Sequence, residues 1–309
     1  MSIPKKRWGK KRIYPRNWKE YNEELVLRGT FYLDFDWVKN WKKELREMNE
    51  NKVGAPYQFP NSLIELQAVW LHFTDYRGVE GITRKVYEIG EIPDYNDYST
   101  ISRRIRNINL QFDIPKSKEI FVSTDMTGMK MNMSGEYFEA KYGDGKKKFI
   151  KVTLSADPFN KDMLKLDVSL EGEELSEPEV AMTHMAELET EGYNVLGFWG
   201  DGGYDCHDLF DFLDFYNIPS AVKIRKNAII DPGGSVRRNI EVAKYQELGY
   251  EKWAKERQYG QRWVGTEGIF SAVKRKYGER VRAKLEENMI REAKRKFWTY
   301  ERIRKYAKA

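Results

Sequence analysis

One cysteine, Cys206, and three histidines, His72, His184 and His207, are all the soft ligands in 309 residues. A lone cysteine excludes an internal disulfide, and so few soft ligands at these spacings exclude a structural zinc site. No apolar run approaches the roughly 18 to 20 residues that cross a bilayer, so no membrane partner is expected. The N-terminus has no signal-peptide core, because its basic start continues into Trp, Tyr and Asn, which points to a cytoplasmic place of work. There is no internal repeat and no low-complexity segment. Gly200-Asp201-Gly202-Gly203 is glycine-rich, but it has neither the spacing of a dinucleotide fingerprint nor a phosphate-loop lysine. It reads as a turn, and a Rossmann-type dehydrogenase is set aside.

What is present is length for about two domains and an uneven charge. The net charge is +6, with eight Lys/Arg and no acid in residues 1–19, and 14 basic against 5 acidic residues in 272–309. The remaining middle is acidic, 32 basic against 43 acidic. Basic ends around an acidic centre suit a polyanion held at its flanks while metal ions neutralise the carboxylates between. The same runs also describe ordinary solvated faces. Residues 1–19, with Lys5, Lys6 and Arg7, are expected to be a basic arm that orders on a phosphate backbone, or else a solubilising tail.

Residues 20–116 carry the period of helices and are expected to form an all-α N-terminal domain. Ser62 with Glu65 predicts a capping box ahead of Leu63, Leu66, Trp70 and Phe73. Val79, Ile82, Val86 and Ile89 continue the period after a turn at Tyr76-Arg77-Gly78. A third helix starts near Asp97, with Ile101, Ile105 and Ile108 inward and Arg103, Arg106 and Asn107 on the opposite face. Such a face can enter a major groove, where Arg reads guanine and Asn reads adenine, or can be the charged outside of an amphipathic helix. Residues 114–117 read as the linker out of this domain.

From Glu119 the period becomes that of strands. Ile120–Thr124, a short strand near Lys130–Met133, and Lys148–Leu154 behind Gly143-Asp144-Gly145 are predicted as three consecutive antiparallel strands. A helix over Glu177–Glu191, a strand over Asn194–Trp199, a helix over Tyr204–Tyr216, a strand over Ile218–Ile224 and a final helix follow. That order predicts an α/β fold for residues 117–309: a ribonuclease H-like mixed sheet flanked by helices. Its first and fourth strands lie side by side, so Asp125 and Asp201 can meet. The acidic loop 171–179 suggests no role. The stripe of Val281, Leu285, Met289, Ala293 and Phe297 in the last segment could cover the sheet, contact DNA or join protomers.

Asp125 and Asp201 each follow a predicted strand, and Glu267 lies on a helix, in Glu267-Gly268-Ile269-Phe270-Ser271-Ala272-Val273-Lys274. Two strand-end aspartates and one helix glutamate provide hard oxygen ligands for two divalent cations at a phosphodiester. Taken singly, each aspartate also reads as a turn residue or helix cap. Glu267 and Lys274, with Ser271 between them, share one helix face, while Ile269, Phe270 and Val273 point inward. Asp205 and Asp208 fall in the first turns of a helix, where the dipole favours carboxylates, and are read as structural.

These segments resemble the DDE transposases of bacterial and archaeal insertion sequences over nearly the full length. Asp125 in Ser-Thr-Asp-Met-Thr-Gly matches the first acid, Asp201 in Gly-Asp-Gly-Gly-Tyr-Asp the second and Glu267 the third. Tyr259, Arg262, Glu267 and Lys274 match the family's Tyr, Arg, Glu, Lys signature, with four residues rather than the usual three between Arg262 and Glu267. Trp18-Lys19-Glu20-Tyr21-Asn22 and Tyr98-Ser99-Thr100-Ile101-Ser102-Arg103-Arg104 resemble its N-terminal helical region. The resemblance implies binding to terminal inverted repeats, metal-dependent cleavage and strand transfer at the nucleoid. It implies two Mg²⁺ ions per active site, replaceable by Mn²⁺, shared by Asp125 and Asp201 and completed by Glu267. Tyr259 would position DNA, Arg262 and Lys274 would bind phosphate oxygens, and the partner would be double-stranded DNA held by a homodimer. A ribonuclease H-like nuclease without strand transfer, or an inactive transposase-derived regulator, stays open as an alternative.

Overall fold

The computed structural model of the chain describes residues 17–112, 115, 117–131, 149–172 and 175–308. Lys5, Lys6 and Arg7 lie outside the described residues, as do the turn at 143–145, two residues of the acidic loop and two of the expected linker. Five helices come first: α1 (Trp18–Thr30), α2 (Trp41–Asn49), α3 (Asn61–Trp70), α4 (Tyr76–Glu88) and α5 (Tyr98–Asn107). Asn17, Asp75 and Asp97 cap α1, α4 and α5 by accepting from backbone N–H groups of their first turns. The expected capping box of α3 does not form. Ser62 donates from its N–H and hydroxyl to Glu44 of α2, at 2.9 and 2.7 Å, so its hydroxyl serves a tertiary contact instead. Tyr76-Arg77-Gly78 is likewise not a turn but the first turn of α4.

Leu63, Leu66, Trp70, Val79, Val86, Ile101 and Ile105 are buried in one cluster, as their spacing predicts, whereas Phe73 and Ile89 stay exposed beyond their helix ends. Gln67, fully buried, donates to Thr83 Oγ1 and Asn96 Oδ1 and so ties α3 to α4 and to the approach to α5. A buried amide that satisfied its donors elsewhere would fix a different packing, so this triad specifies the arrangement.

The sheet is built from β1 (Glu119–Lys130), β2 (Phe149–Ala156), β3 (Met163–Leu170), β4 (Asn194–Gly200) and β5 (Ser220–Val222), in the order β3-β2-β1-β4-β5. β1–β2 and β2–β3 pair antiparallel, while β1–β4 and β4–β5 pair parallel, which is the ribonuclease H-like arrangement. Two strand expectations need correction. Lys130 is the end of one long β1, while residues 132–133 of the expected short strand lie outside the described residues; the third antiparallel strand is Met163–Leu170, where no strand is predicted. Asp125 and the polar residues after it interrupt the apolar alternation, so β1 looked broken where it is continuous.

Helices α6 (Glu177–Thr190) and α7 (His207–Phe215) cover one face, packing Leu188 and Phe210 with Ile120, Val122 and Phe198. α8 (Val236–Glu256) kinks at Gly249, whose φ of +69° a residue with a Cβ resists. The short α9 (Arg262–Gly265), α10 (Glu267–Tyr277) and α11 (Glu286–Tyr306) follow. α10 and α11 cover the opposite face, where Ile269, Phe270, Val273, Met289, Ala293 and Phe297 pack with Ile150, Val152 and Leu154. The apolar stripe of the last segment therefore covers the sheet, except for exposed Leu285. The same helix carries Trp298 and Ile303 into the helical cluster. Among the described residues no helix is long and apolar enough to cross a membrane.

Candidate active site

Register brings the two aspartates to one place. β1 pairs with β4 only as far as Ser123 with Trp199, but continues against β2 to Lys130. Asp125 and Asp201 each stand two residues beyond that last parallel pair. Asp125 is thus in the middle of β1 rather than at a strand end, opposite Leu154 on β2, with its other edge freed because β4 has stopped at Gly200. Asp201 does sit just past its strand.

Asp201 caps a one-turn 3-10 helix, Gly202–Tyr204, by accepting from Gly203 N–H at 2.7 Å. A Cβ on Gly203 would lie 2.9 Å from Asp201 Oδ1 and 3.6 Å from Glu177 Oε2. Glycine is needed for space here, and the same two distances mean that Asp201 and Glu177 direct oxygens at one spot. Glu177 opens α6, beside a Ser176–Glu179 cap in which Glu179 accepts from the Ser176 N–H and hydroxyl. The acidic loop without a role thus delivers a carboxylate to the site. The sequence signal was an ordinary helix cap, and only the tertiary turn after β4 separates Glu177 from its neighbours.

Arg262 connects two of the acids. Its Nη1 donates to Asp125 Oδ2 at 3.2 Å and its Nη2 to Glu267 Oε1 at 3.5 Å. Glu267 is the first residue of α10, and Lys274, two turns on, donates to Thr127 Oγ1 on β1 at 2.6 Å. The shared helix face read from spacing is therefore turned to β1. Arg262 is buried, with its guanidinium over the rings of Tyr259 at 5.6 Å and Trp263 at 4.7 Å. Tyr259 is itself buried against Trp253, and burial pushes its hydroxyl up to about 12. Arg103, Arg106 and Asn107 are exposed on α5.

Burial raises the pKa of Asp125, Glu177 and Glu267 above the ordinary carboxylate range. Arg262 opposes the rise at Asp125 and Glu267, and Lys151 opposes it at Glu177; repulsion from Asp201 adds to it at all three. Four carboxylates thus share one field. Tyr204 lies in it too, fully buried, with a hydroxyl that meets no partner among the described residues. Asp205 has a different task from its neighbours. Its buried carboxylate pairs with Arg238 Nε at 2.6 Å and accepts from Arg225 N–H at 2.9 Å, outside α7, so an ion pair rather than a helix dipole accounts for it. Asp208 does lie in the first turn of α7.

Among the described residues no three of His, Cys, Asp and Glu close on one point as metal ligands do, and Arg262 pairs with both Asp125 and Glu267. The donor set nevertheless fits a hard divalent cation. It is all carboxylate oxygen, short of positive charge, and borders an unpartnered buried hydroxyl.

A family model described as transposase DDE domain matches residues 116–302, and a second of the same description matches residues 26–134. Among solved structures, the chain is similar to a Mos1 strand transfer complex at 10% identity, over 82% of this chain and 91% of that one, with a TM-score of 0.23. A pre-cleavage Mos1 transpososome matches at 8% identity, over 96% and 98%, with a TM-score of 0.24. Such low scores carry no weight beside the first family match, which spans more than half of the chain and takes in β1, β4 and α10. The chain belongs to the DDE transposase family.

Proposed function

We propose that this transposase binds the terminal inverted repeats of an insertion sequence, cuts the DNA at their ends and joins the freed strand to a target. The observation that carries the reading is the gathering of Asp125, Asp201, Glu267 and Glu177 around the open end of β4, with Arg262 bridging Asp125 and Glu267. Asp125, Asp201 and Glu267 are the residues to hold the metal ions. Two Mg²⁺ ions, or Mn²⁺ in their stead, would supply Lewis acidity at the phosphodiester and acidify the attacking water or hydroxyl. Arg262 keeps Asp125 and Glu267 apart until an anionic substrate competes for its fork. Tyr259 and Trp263 hold that guanidinium between rings, so Tyr259 acts on DNA through Arg262. Lys274 reaches a phosphate oxygen by exchanging Thr127 for it.

In cleavage, a water oxygen bonds to phosphorus while the bridging P–O3′ bond breaks and the 3′ oxygen leaves as a hydroxyl. In joining, that hydroxyl attacks a target phosphodiester and displaces the target's own 3′ oxygen, so no bond to the protein is needed. Residues 20–116 are assigned to DNA binding, with Arg103, Arg106 and Asn107 of α5 and the basic arm 1–19 facing the duplex, and 117–309 to catalysis. Work at the nucleoid and a homodimer on bound DNA follow from the need to hold two ends together.

The test is a plasmid carrying the element's ends, mixed with a supercoiled target and Mg²⁺. Asp125→Asn, Asp201→Asn and Glu267→Gln should each abolish cutting while end binding stays; cutting that survives any one of them overturns the assignment. Cutting without joining by the unaltered chain identifies a plain nuclease, and binding with neither identifies a regulator.

A further inference from the structure

A cleft of about 900 Å³ runs between the start of α11 with the segment before it and the α3–α4 and α5 ends of the helical region. None of the four carboxylates of the candidate active site lines it. Six cations do: Arg106, Arg282, Lys284, Arg291, Lys294 and Arg295. The two acids in its wall, Asp75 and Glu292, already have partners. Asp75 caps α4 at Gly78 N–H, 2.8 Å, and Glu292 accepts from the N–H groups of Arg282 and Ala283 at 2.9 to 3.0 Å.

Arg106, Arg282 and Arg291 have partners in Ser102, Leu71 and Glu287, but two lysines have none. Lys284 and Lys294 are exposed and make no hydrogen bond or ion pair among the described residues. Arg295 is buried, and its Nε meets no acceptor. A neighbouring group registers the same field. His72 is pushed down to about 2, first by burial and then by Arg295, Lys296 and Arg282.

We propose that this cleft is a phosphate-binding groove that takes the sugar-phosphate backbone of duplex DNA, at a place separate from the carboxylates. The proposal rests on the reading that DNA is the substrate. Guanidinium forks match phosphate oxygens, and Asn107, Asn109 and Asn288 in the same wall are neutral donors of the kind that position a backbone without reading its bases. Of the α5 face, Arg106 and Asn107 line this cleft and Arg103 does not. Backbone gripping is therefore the role of those two, in place of reading base edges.

The experiment uses the full chain, a fluorescent duplex of random sequence and a series of salt concentrations. In Lys284→Glu/Lys294→Glu, the slope of log affinity against log salt should shrink by about two, near 0.9 for each lost phosphate contact, with affinity down at least tenfold at low salt. A matched pair on exposed lysines outside the DNA-binding residues, Lys252→Glu/Lys255→Glu on α8, should change the slope less. Lys284→Gln/Lys294→Gln reads the same loss without charge reversal, and unchanged melting verifies that each variant folds. A wild-type slope in both cleft variants overturns the groove, as does an equal loss in the matched pair. If those variants also cut plasmid ends normally, the transposase reading stands and the groove alone falls. Absence of salt-dependent duplex binding by the unaltered chain overturns both.

Discussion

The carboxylate site and the basic cleft are opposite in sign and alike in construction. Each contains counter-charge that is already committed: Arg262 to Asp125 and Glu267, and Glu292 to the backbone of Arg282 and Ala283. What remains in each is charge that the fold leaves unmatched. Compare Asp205 with Arg238, a buried pair with both members satisfied and no charge left over. Internal pairing marks structure here, and surplus charge marks a place for an outside partner.

The strongest way to break this contrast is at Asp201. Asp201→Asn should take cutting below detection, a loss on the order of 10³-fold or more or several kcal/mol of charge stabilisation, with little change in melting. Asp205→Ala should do the reverse. It leaves Arg238 buried and unpaired, at a cost of about 3 to 5 kcal/mol, read as a large fall in melting temperature. If Asp205→Ala melts normally yet fails to cut, the division between structural and functional charge is wrong.

Glu177 sharpens the comparison, because it is an acid of the site without belonging to the signature. Glu177→Gln should reduce cutting about 10- to 100-fold, as lost support of a metal site does, and should weaken Mn²⁺ binding followed by electron paramagnetic resonance. Undiminished Mn²⁺ binding would make Glu177 a bystander.

The smallest effect is on pH. Asp125, Glu177 and Glu267 have raised pKa values when folded, so the folded chain holds their protons longer than the unfolded chain does. Metal-free stability should therefore fall as pH climbs from the ordinary carboxylate range through those raised values, and the full cost is present above them. Asp125→Asn should flatten that fall, and added Mg²⁺ should offset it in the unaltered chain. A melting temperature that rises over the same interval contradicts the sign.

Much of this was legible in the residues. Isoleucines at helical spacing gave α5, and the strand order gave the pairing of β1 with β4; the Tyr, Arg, Glu, Lys signature pointed Arg262 at phosphate, and its place between two acids had no trace in the spacing. What escaped depended on distance along the chain. Glu177 looks like helix capping until β4 and its glycine turn bring Asp201 to it. β3 was overlooked because Asp125 made β1 look like two short strands. Arg282 donates to Leu71 O across 211 positions, a contact with no local trace in either segment, and the cleft is built from contacts of that kind.

α11 belongs to two cores at once, with Phe297 under the sheet and Trp298, the next residue, among the helices. Thr299 Oγ1 meets His72 Nε2 at 2.9 Å, and Tyr306 stacks edge-on against Phe31 at 5.1 Å. One rigid rod therefore threads both halves of the molecule. Heat should melt them together in a single calorimetric transition, and deleting the rod's last two turns should loosen the N-terminal helices, although they are farthest from it in the chain.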